Sequence, residues 1–194
     1  IGVILSIVHS ILLDLGPLNV LMALFFGFIG WVYAKWGKKS GFLGNLLVSV
    51  SFSIGLIYGA ILNGGIIPFY IYSFFLTSFF LLLGREIIKG CEDVKGDEKE
   101  GVKTLAIMLG SKKALIISVA CQLLAIIFFI LPIFTDIINP LLFFILMIFG
   151  LSVVIYAIIL ALTSDLREEE FHKMSLLLKI GALLGLLAFI FASI

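Results

Sequence analysis

Long apolar stretches of about twenty residues alternate with short polar ones along most of the chain. A bilayer core of about 30 Å takes roughly twenty helical residues to cross, so each stretch predicts a membrane-spanning helix. The chain opens on an apolar run of only about thirteen residues, which we expect to be part of a truncated helix. The pattern therefore predicts an all-α, multi-pass bundle with seven membrane helices. Its six full-length spans are expected at about 17–36, 42–62, 66–84, 111–132, 140–163 and 174–194.

The composition agrees with a membrane protein. Hydrophobic residues make up 62% of the chain and charged residues 13%, and the mean hydropathy is +1.30, which is too apolar for a soluble domain of this length. The net charge of +1 argues against a nucleic-acid partner, which would need a basic surface. The two cysteines, Cys91 and Cys121, offer no disulfide framework.

Lysine and arginine lie in every second connection between the predicted helices. They follow the helices that end near residues 36, 84 and 163, whereas the connections near Asp14, at 63–68 and at 132–140 contain none. Because basic loops stay on the cytoplasmic side, we expect these loops to be cytoplasmic and the protein to lie in the cell membrane. Lys179 differs, since it falls about one turn inside the last predicted span, where its long side chain can reach the interface or point into the protein.

Residues 85–103 carry six of the twelve acids in the chain. Carboxylates beside a lipid-embedded body are costly unless they meet water, cations or a metal. Glu86, Asp93 and Asp97 are separated by seven and four residues, which would place them within about 40° on one face of a helix, although two glycines would interrupt it. Two such carboxylates suit magnesium. The alternative is that the run is a solvated connector.

Polar residues recur inside the predicted membrane helices. Asn45, Ser49 and Ser53 are spaced by four residues and predict a polar stripe that faces either a cavity or another helix. Together with the nearby bases and acids, such a lining predicts a ligand that is anionic at one end and apolar at the other, with lysines pairing with phosphate oxygens. Four further residues that extend this predicted lining are Thr77, Ser78, Gln122 and Tyr156.

Three segments carry a resemblance to a known family. Arg85-Glu-Ile-Ile-Lys89, Glu92-Asp-Val-Lys-Gly-Asp97 and Gly101-Val-Lys-Thr-Leu105 resemble the second aspartate-rich motif of the UbiA-type intramembrane prenyltransferases. Supporting similarities occur at Tyr33, at Lys38-Lys39 and at Gly44-Asn45. The resemblance is to the archaeal ether-lipid branch of this family and covers nearly the whole chain.

The resemblance implies a function. It implies magnesium-dependent transfer of a geranylgeranyl group from its diphosphate, the donor, to the hydroxyl of a lipid-like acceptor, geranylgeranylglyceryl phosphate. Asp93 and Asp97 would be the magnesium ligands and catalytic groups, with Glu86 as a catalytic helper. The substrate-binding residues that it implies are Tyr33, Lys38, Lys39, Asn45, Arg85 and Lys89.

The chain also departs from the family pattern. Many relatives have an aspartate where this chain has Gly90 and a proline where it has Ala106. The family's first aspartate-rich motif, Asn-Asp-x-x-Asp-x-x-x-Asp, is absent, and the family has nine helices. We therefore expect residues 1–194 to be a single prenyltransferase domain that lacks two N-terminal helices, or a reduced, non-catalytic binder of prenyl lipids.

Other functions remain as alternatives. Within the family, the alternative is prenylation of an aromatic acceptor in quinone or haem biosynthesis. A phosphotransferase that uses CDP-alcohols should carry an Asp-Gly-x-x-Ala-Arg motif, which is absent. A transporter should show broken or charged helices near the bilayer midplane and an internal repeat, and the acids instead cluster at the predicted helix ends.

Overall fold

The computed structural model describes residues 1–13, 17–62 and 67–193, with the backbone alone at Leu13, Lys38 and Ser193, and the regular elements in these ranges are all helical. Short 3₁₀ turns at Gly37–Lys39 and Leu131–Phe134 join some of the helices. The α-helices are α1 (Gly2–Leu13), α2 (Leu18–Lys35), α3 (Phe42–Leu62), α4 (Phe69–Glu92), α5 (Val94–Glu100), α6 (Leu105–Leu109), α7 (Ser111–Ile130), α8 (Pro140–Leu162) and α9 (Glu168–Ser193).

Six helices of the described chain are long and apolar enough to cross a membrane, namely α2, α3, α4, α7, α8 and α9. The shortest has 18 residues and the longest 26, which at 1.5 Å per residue gives about 27–39 Å. Helix α1 has 12 residues and is apolar but shorter than a span. The predicted all-helical, multi-pass bundle is therefore confirmed.

Two helix boundaries differ from the prediction because hydropathy marks the end of an apolar stretch, whereas helices continue into charged sequence. Helix α4 was expected to end near residue 84 and runs on to Glu92, and α9 was expected to begin near 174 and begins at Glu168. Three acidic residues, 168–170, form the first turn of α9. Carboxylates are stabilised there because the N-terminus is the positive end of the helix dipole. Of the predicted turn at 14–17, residues 14–16 lie outside the described part of the chain.

Helix α4 lies at the centre of the bundle and packs against α3, α7 and α9, while α8 packs against α9. Small residues allow the close approaches. A Cβ on Gly84 would come within 3.1 Å of the Ser118 carbonyl oxygen in α7, and one on Gly181 within 2.8 Å of Val154 in α8. The Ser118 hydroxyl donates to the Gly84 carbonyl at 2.7 Å. Close helix packing with a buried hydroxyl is typical of membrane bundles.

Candidate active site at the end of helix α4

The acidic stretch folds as a helix, a one-residue break and a second short helix. Helix α4 passes through Gly90 to Glu92, Asp93 (φ −98°, ψ 14°) interrupts it, and α5 continues from Val94. The Asp97 amide donates to the Asp93 carbonyl at 2.9 Å, so the two aspartates lie one helical turn apart. The helix that was expected to carry Glu86, Asp93 and Asp97 on one face is therefore interrupted. The break lies at Asp93 and not at either glycine.

The charges around Asp97 are crowded. Partial burial raises the pKa of Asp97, and repulsion from Asp93 and Glu100 raises it further, while the Lys89 ammonium opposes the shift. A cation between Asp93 and Asp97 would relieve this repulsion. In the described ranges no three histidine, cysteine, aspartate or glutamate side chains form a group that could hold a metal ion. The two carboxylates still fit magnesium, which commonly uses one or two carboxylates together with substrate phosphates and water.

Glu86 has a different partner from the two aspartates. Its carboxylate forms an ion pair with the guanidinium of its neighbour Arg85, with 2.5 Å between Nη1 and Oε1, and both side chains are mostly buried. Lys89 lies one turn further along α4, is half-buried and is the cation close enough to act on Asp97. The end of α4 thus places two cations beside its acids.

A second basic segment approaches the acidic stretch through two glycines. Gly41 has a left-handed φ of 61°, and a Cβ there would overlap the Lys103 carbonyl. A Cβ on Gly90 would come 3.3 Å from the Cβ of Thr104, which caps α6 by accepting the Ile107 amide at 3.3 Å. Lys103 lies against Gly41 of the α2–α3 loop, and the next residue, Thr104, lies against Gly90 of α4. The α2–α3 loop and helix α4 therefore meet at this point.

The remaining predicted substrate-binding residues lie in the α2–α3 loop and on the helix ends beside it. Lys39 is exposed at this end of the bundle, while the side chain of Lys38 lies outside the described residues. Tyr33 packs beside Gly37, where a Cβ would come within 2.8 Å of its ring. The backbone N–H of Asn45 donates to the Gly41 carbonyl at 3.2 Å and so fixes the start of α3. The structure brings this loop to the acidic stretch, where Gly41 lies against Lys103.

A third connection lies at the same end of the bundle. The Glu92 carboxylate and the His172 Nδ1 atom are 2.8 Å apart and join the end of α4 to the first turns of α9. The three lysine-rich and arginine-rich connections therefore share one end of the bundle, as the alternation of loop charge predicted. His172 had no role in the sequence analysis because its partner is 80 residues away.

A cavity of about 470 Å³ extends into the bundle between helices α3, α4, α7, α8 and α9. Aromatic rings from four helices form part of its wall, namely Phe52, Phe74, Phe129 and Phe189. Thr77 and Ser78 also line it, which confirms the prediction that they face the interior. Pockets of 300–1,000 Å³ with mainly apolar walls commonly hold small molecules, so this cavity has the volume and lining for an apolar ligand.

Other polar residues predicted for the lining have different roles. Ser49 and Ser53 are fully buried, and the Ser49 hydroxyl donates to the Asn45 carbonyl at 2.7 Å. Gln122 is also fully buried and donates to the Ser118 hydroxyl at 3.0 Å. Tyr156 is exposed and accepts a hydrogen bond from a lysine of α9 at 3.2 Å. None of these side chains lines the cavity in the described structure, so the predicted lining is limited to Thr77 and Ser78.

The comparisons with known proteins agree with this arrangement. A profile of the UbiA prenyltransferase family matches residues 1–178. The chain belongs to the UbiA prenyltransferase family. It is 31% identical over 174 residues to the digeranylgeranylglyceryl phosphate synthase of Korarchaeum cryptofilum, covering 89% of this chain and 61% of that protein. It is 37% identical over 198 residues to the synthase of the same name from Saccharolobus solfataricus, covering 98% of this chain and 66% of that protein.

A solved structure supports the same fold. The structure, described as giving structural and mechanistic insights into the biosynthesis of digeranylgeranylglyceryl phosphate synthase in membranes, matches with a TM-score of 0.79 at 32% identity. The match covers 89% of this chain and 60% of that chain. This UbiA-family chain thus spans less than two thirds of the length of these relatives.

Sequence reasoning missed two features of this UbiA-family site. The first is Thr104, whose role depends on the positions of Gly41 and Gly90 and is visible only once the loops are folded. The second is that Lys179, for which a position inside the protein was one of two alternatives, lines the same cavity as Arg85. The signal that was available for Lys179 was a lone base inside an apolar stretch, a pattern that marks functional sites in membrane helices.

Proposed function

We propose that the complete protein transfers a geranylgeranyl group from geranylgeranyl diphosphate to the free hydroxyl of geranylgeranylglyceryl phosphate, a step in archaeal ether-lipid synthesis. One observation carries the proposal: a single helix, α4, lines the apolar cavity and ends at the turn that contains the two aspartates. Arg85 of α4 lines the cavity, and Asp93 follows eight residues later, about 12 Å along the helix axis. A prenyl diphosphate has the matching shape, with an apolar chain and an anionic end. The similarity to the named synthases supports this choice of substrates.

The residues then have distinct roles. Asp93 and Asp97 would hold magnesium, which supplies positive charge to the diphosphate when bound. Lys89 and Arg85 would add positive charge on the protein side and stabilise the leaving diphosphate as the allylic carbon–oxygen bond breaks. The acceptor hydroxyl would then attack the allylic cation, and its proton would pass to the released diphosphate as the ether bond forms. The apolar wall of the cavity would exclude water, which would otherwise react with that cation.

The sidedness of the site is part of the proposal. The three basic connections share one end of the bundle, which the Glu92–His172 and Gly41–Lys103 contacts support. Basic loops are retained in the cytoplasm, so we place the acidic turn at the cytoplasmic face of the cell membrane. A prenyl diphosphate carries several negative charges and would reach the site from that side.

The test uses the complete protein in detergent with geranylgeranyl diphosphate, geranylgeranylglyceryl phosphate and magnesium. We expect formation of the doubly prenylated ether lipid, measured by mass spectrometry, and release of diphosphate. Asp93→Asn should lower kcat/KM by on the order of 10²-fold or more, because it removes charge at the leaving group. Glu98→Gln is the matched control, since Glu98 is an exposed acid of the same short helix.

Three results would contradict the proposal. The first is full activity in Asp93→Asn. The second is prenylation of an aromatic acid, such as 4-hydroxybenzoate, in preference to the lipid acceptor, which would favour the alternative of an aromatic acceptor. The third is tight binding of the prenyl diphosphate without any turnover in the complete protein, which would favour a non-catalytic binder.

A further inference from the structure

Lys179 lies well along α9, the longest helix of the described chain, and its side chain is exposed where it lines the cavity. Helix α9 begins at Glu168, so Lys179 is eleven residues, or about 16 Å, from its start, and not the single turn that the sequence predicted. Helix α9 is one of the membrane spans, and a lysine in the middle of a span is costly unless it meets water, a counter-charge or a ligand. Its position therefore needs a physical explanation.

The contact between α4 and α9 allows the depth of Arg85 in the bundle to be compared with that of Lys179. Glu92 and His172 touch at 2.8 Å, and the two helices run in opposite directions from this point, because α4 ends there and α9 begins there. Arg85 precedes Glu92 by seven residues, and Lys179 follows His172 by seven. Each backbone position is therefore about 10 Å further into the bundle along its helix axis, which places the two residues at about the same level. Both line the apolar cavity.

The charges of this pair are incompletely balanced. Of the cavity-lining residues in the described chain, Arg85 and Lys179 are the two that are charged, and no carboxylate is among them. Glu86 engages the Nη1 atom of Arg85, whereas the Arg85 Nε atom is buried without a hydrogen-bond partner. Lys179 has no hydrogen-bond or ion-pair partner among residues 1–13, 17–62 and 67–193. A buried donor without a partner and an unpaired ammonium at one level fit an anion.

We propose that Lys179 and Arg85 bind the phosphate end of a prenyl lipid whose chain occupies the cavity. This inference rests on the proposed function and adds Lys179, a residue that the family motif does not contain. Two phosphates fit the chemistry, the diphosphate of the donor and the monophosphate of the acceptor. In either case the contact is direct, so it is independent of magnesium, unlike binding at Asp93 and Asp97.

The experiment measures equilibrium binding to the complete protein in detergent with EDTA. The probes are geranylgeranyl diphosphate, geranylgeranylglyceryl phosphate and the uncharged alcohol geranylgeraniol. Lys179→Met should weaken binding of at least one phosphate-bearing lipid by about 10-fold or more, the scale of one lost charged hydrogen bond, and leave geranylgeraniol binding unchanged. Lys179→Arg keeps the charge and should retain most of the affinity.

Lys173→Met is the matched control on the same helix. It removes the same charge near the start of α9, where Lys173 donates to the Tyr156 hydroxyl at 3.2 Å and does not line the cavity. It should bind all three probes as the wild type does. Retained geranylgeraniol binding in Lys179→Met shows that the variant has folded. The probe that loses affinity identifies whether the phosphate belongs to the donor or to the acceptor.

Three outcomes would overturn the inference. They are equal binding of both phosphate-bearing probes by the wild type and Lys179→Met, a parallel loss of geranylgeraniol binding with normal thermal stability, and the absence of metal-free binding in the wild type. The first two would assign Lys179 a neutral or packing role. Because the assay involves no magnesium and no turnover, a lack of product in the activity assay would contradict the proposed reaction alone.

Discussion

Asp97 illustrates how a single residue can reduce stability at a candidate site. Its pKa is raised by partial burial and by the neighbouring charges of Asp93 and Glu100. A carboxyl group with a raised pKa in the folded state is less favourable as an anion in the fold than in the unfolded chain. It therefore lowers the stability above the folded-state pKa, and this cost disappears as the pH falls towards the unfolded value.

We expect Asp97→Asn to stabilise the metal-free protein at pH 7, since the amide removes the repelled charge. The gain in Tm should stay below about 2–4 °C, because exposed charge interactions are worth under about 1 kcal/mol. Thermal unfolding in EDTA tests this, and the difference from the wild type should vanish below pH ~3.9. Added magnesium should raise the Tm of the wild type more than that of the variant. A lower Tm for the metal-free variant at pH 7 would show that Asp97 contributes to stability.

At the scale of elements, the site depends on how the charged segments fold around α4. The sequence placed Asp93 and Asp97 one helical turn apart, and this spacing is present because it follows from local helix geometry. The interruption at Asp93 and the contact between the α2–α3 loop and residue 103 could not be predicted. The loop contact depends on the packing of Gly41 against Lys103, far along the chain, and the interruption is visible only in the backbone angles of Asp93.

Two glycines allow the loop contact to be tested with a matched pair. Gly41 and Gly101 both have left-handed φ values, of 61° and 72°, so an alanine at either position costs roughly 1–2 kcal/mol in backbone strain. A Cβ at Gly41 would also overlap the Lys103 carbonyl, whereas a Cβ at Gly101 would have no neighbour within 4 Å. Gly41→Ala should therefore lower the Tm clearly more than Gly101→Ala. Equal losses in thermal unfolding would mean that the loop does not pack on residue 103.

For the whole molecule, the pattern of apolar stretches was enough to predict the six spans and the shared end of the basic loops, because the bilayer and the loop charges impose both. The cavity was less predictable. Thr77 and Ser78 were expected to face the interior, but the pairing of Arg85 with Lys179 depends on the register of two helices far apart in sequence. That register follows from two structural facts, the start of α9 at Glu168 and the contact between Glu92 and His172.

The orientation of the bundle in the membrane can be tested with introduced cysteines. The natural thiols are poor reporters, because Cys91 and Cys121 are 4% and 8% exposed, and both are best replaced by alanine. Gly96→Cys reports on the acidic turn, and Asp136→Cys on the connection between α7 and α8 at the opposite end, since both positions are exposed.

A membrane-impermeant maleimide added to intact cells should label Asp136→Cys and should reach Gly96→Cys only after permeabilisation, because basic loops remain in the cytoplasm. The cysteine-free variant is the control for background labelling. Labelling of Gly96→Cys in intact cells would place the acidic turn outside the cell, away from a cytoplasmic supply of prenyl diphosphate. That result would contradict the proposed sidedness while leaving the helix packing and the cavity unchanged.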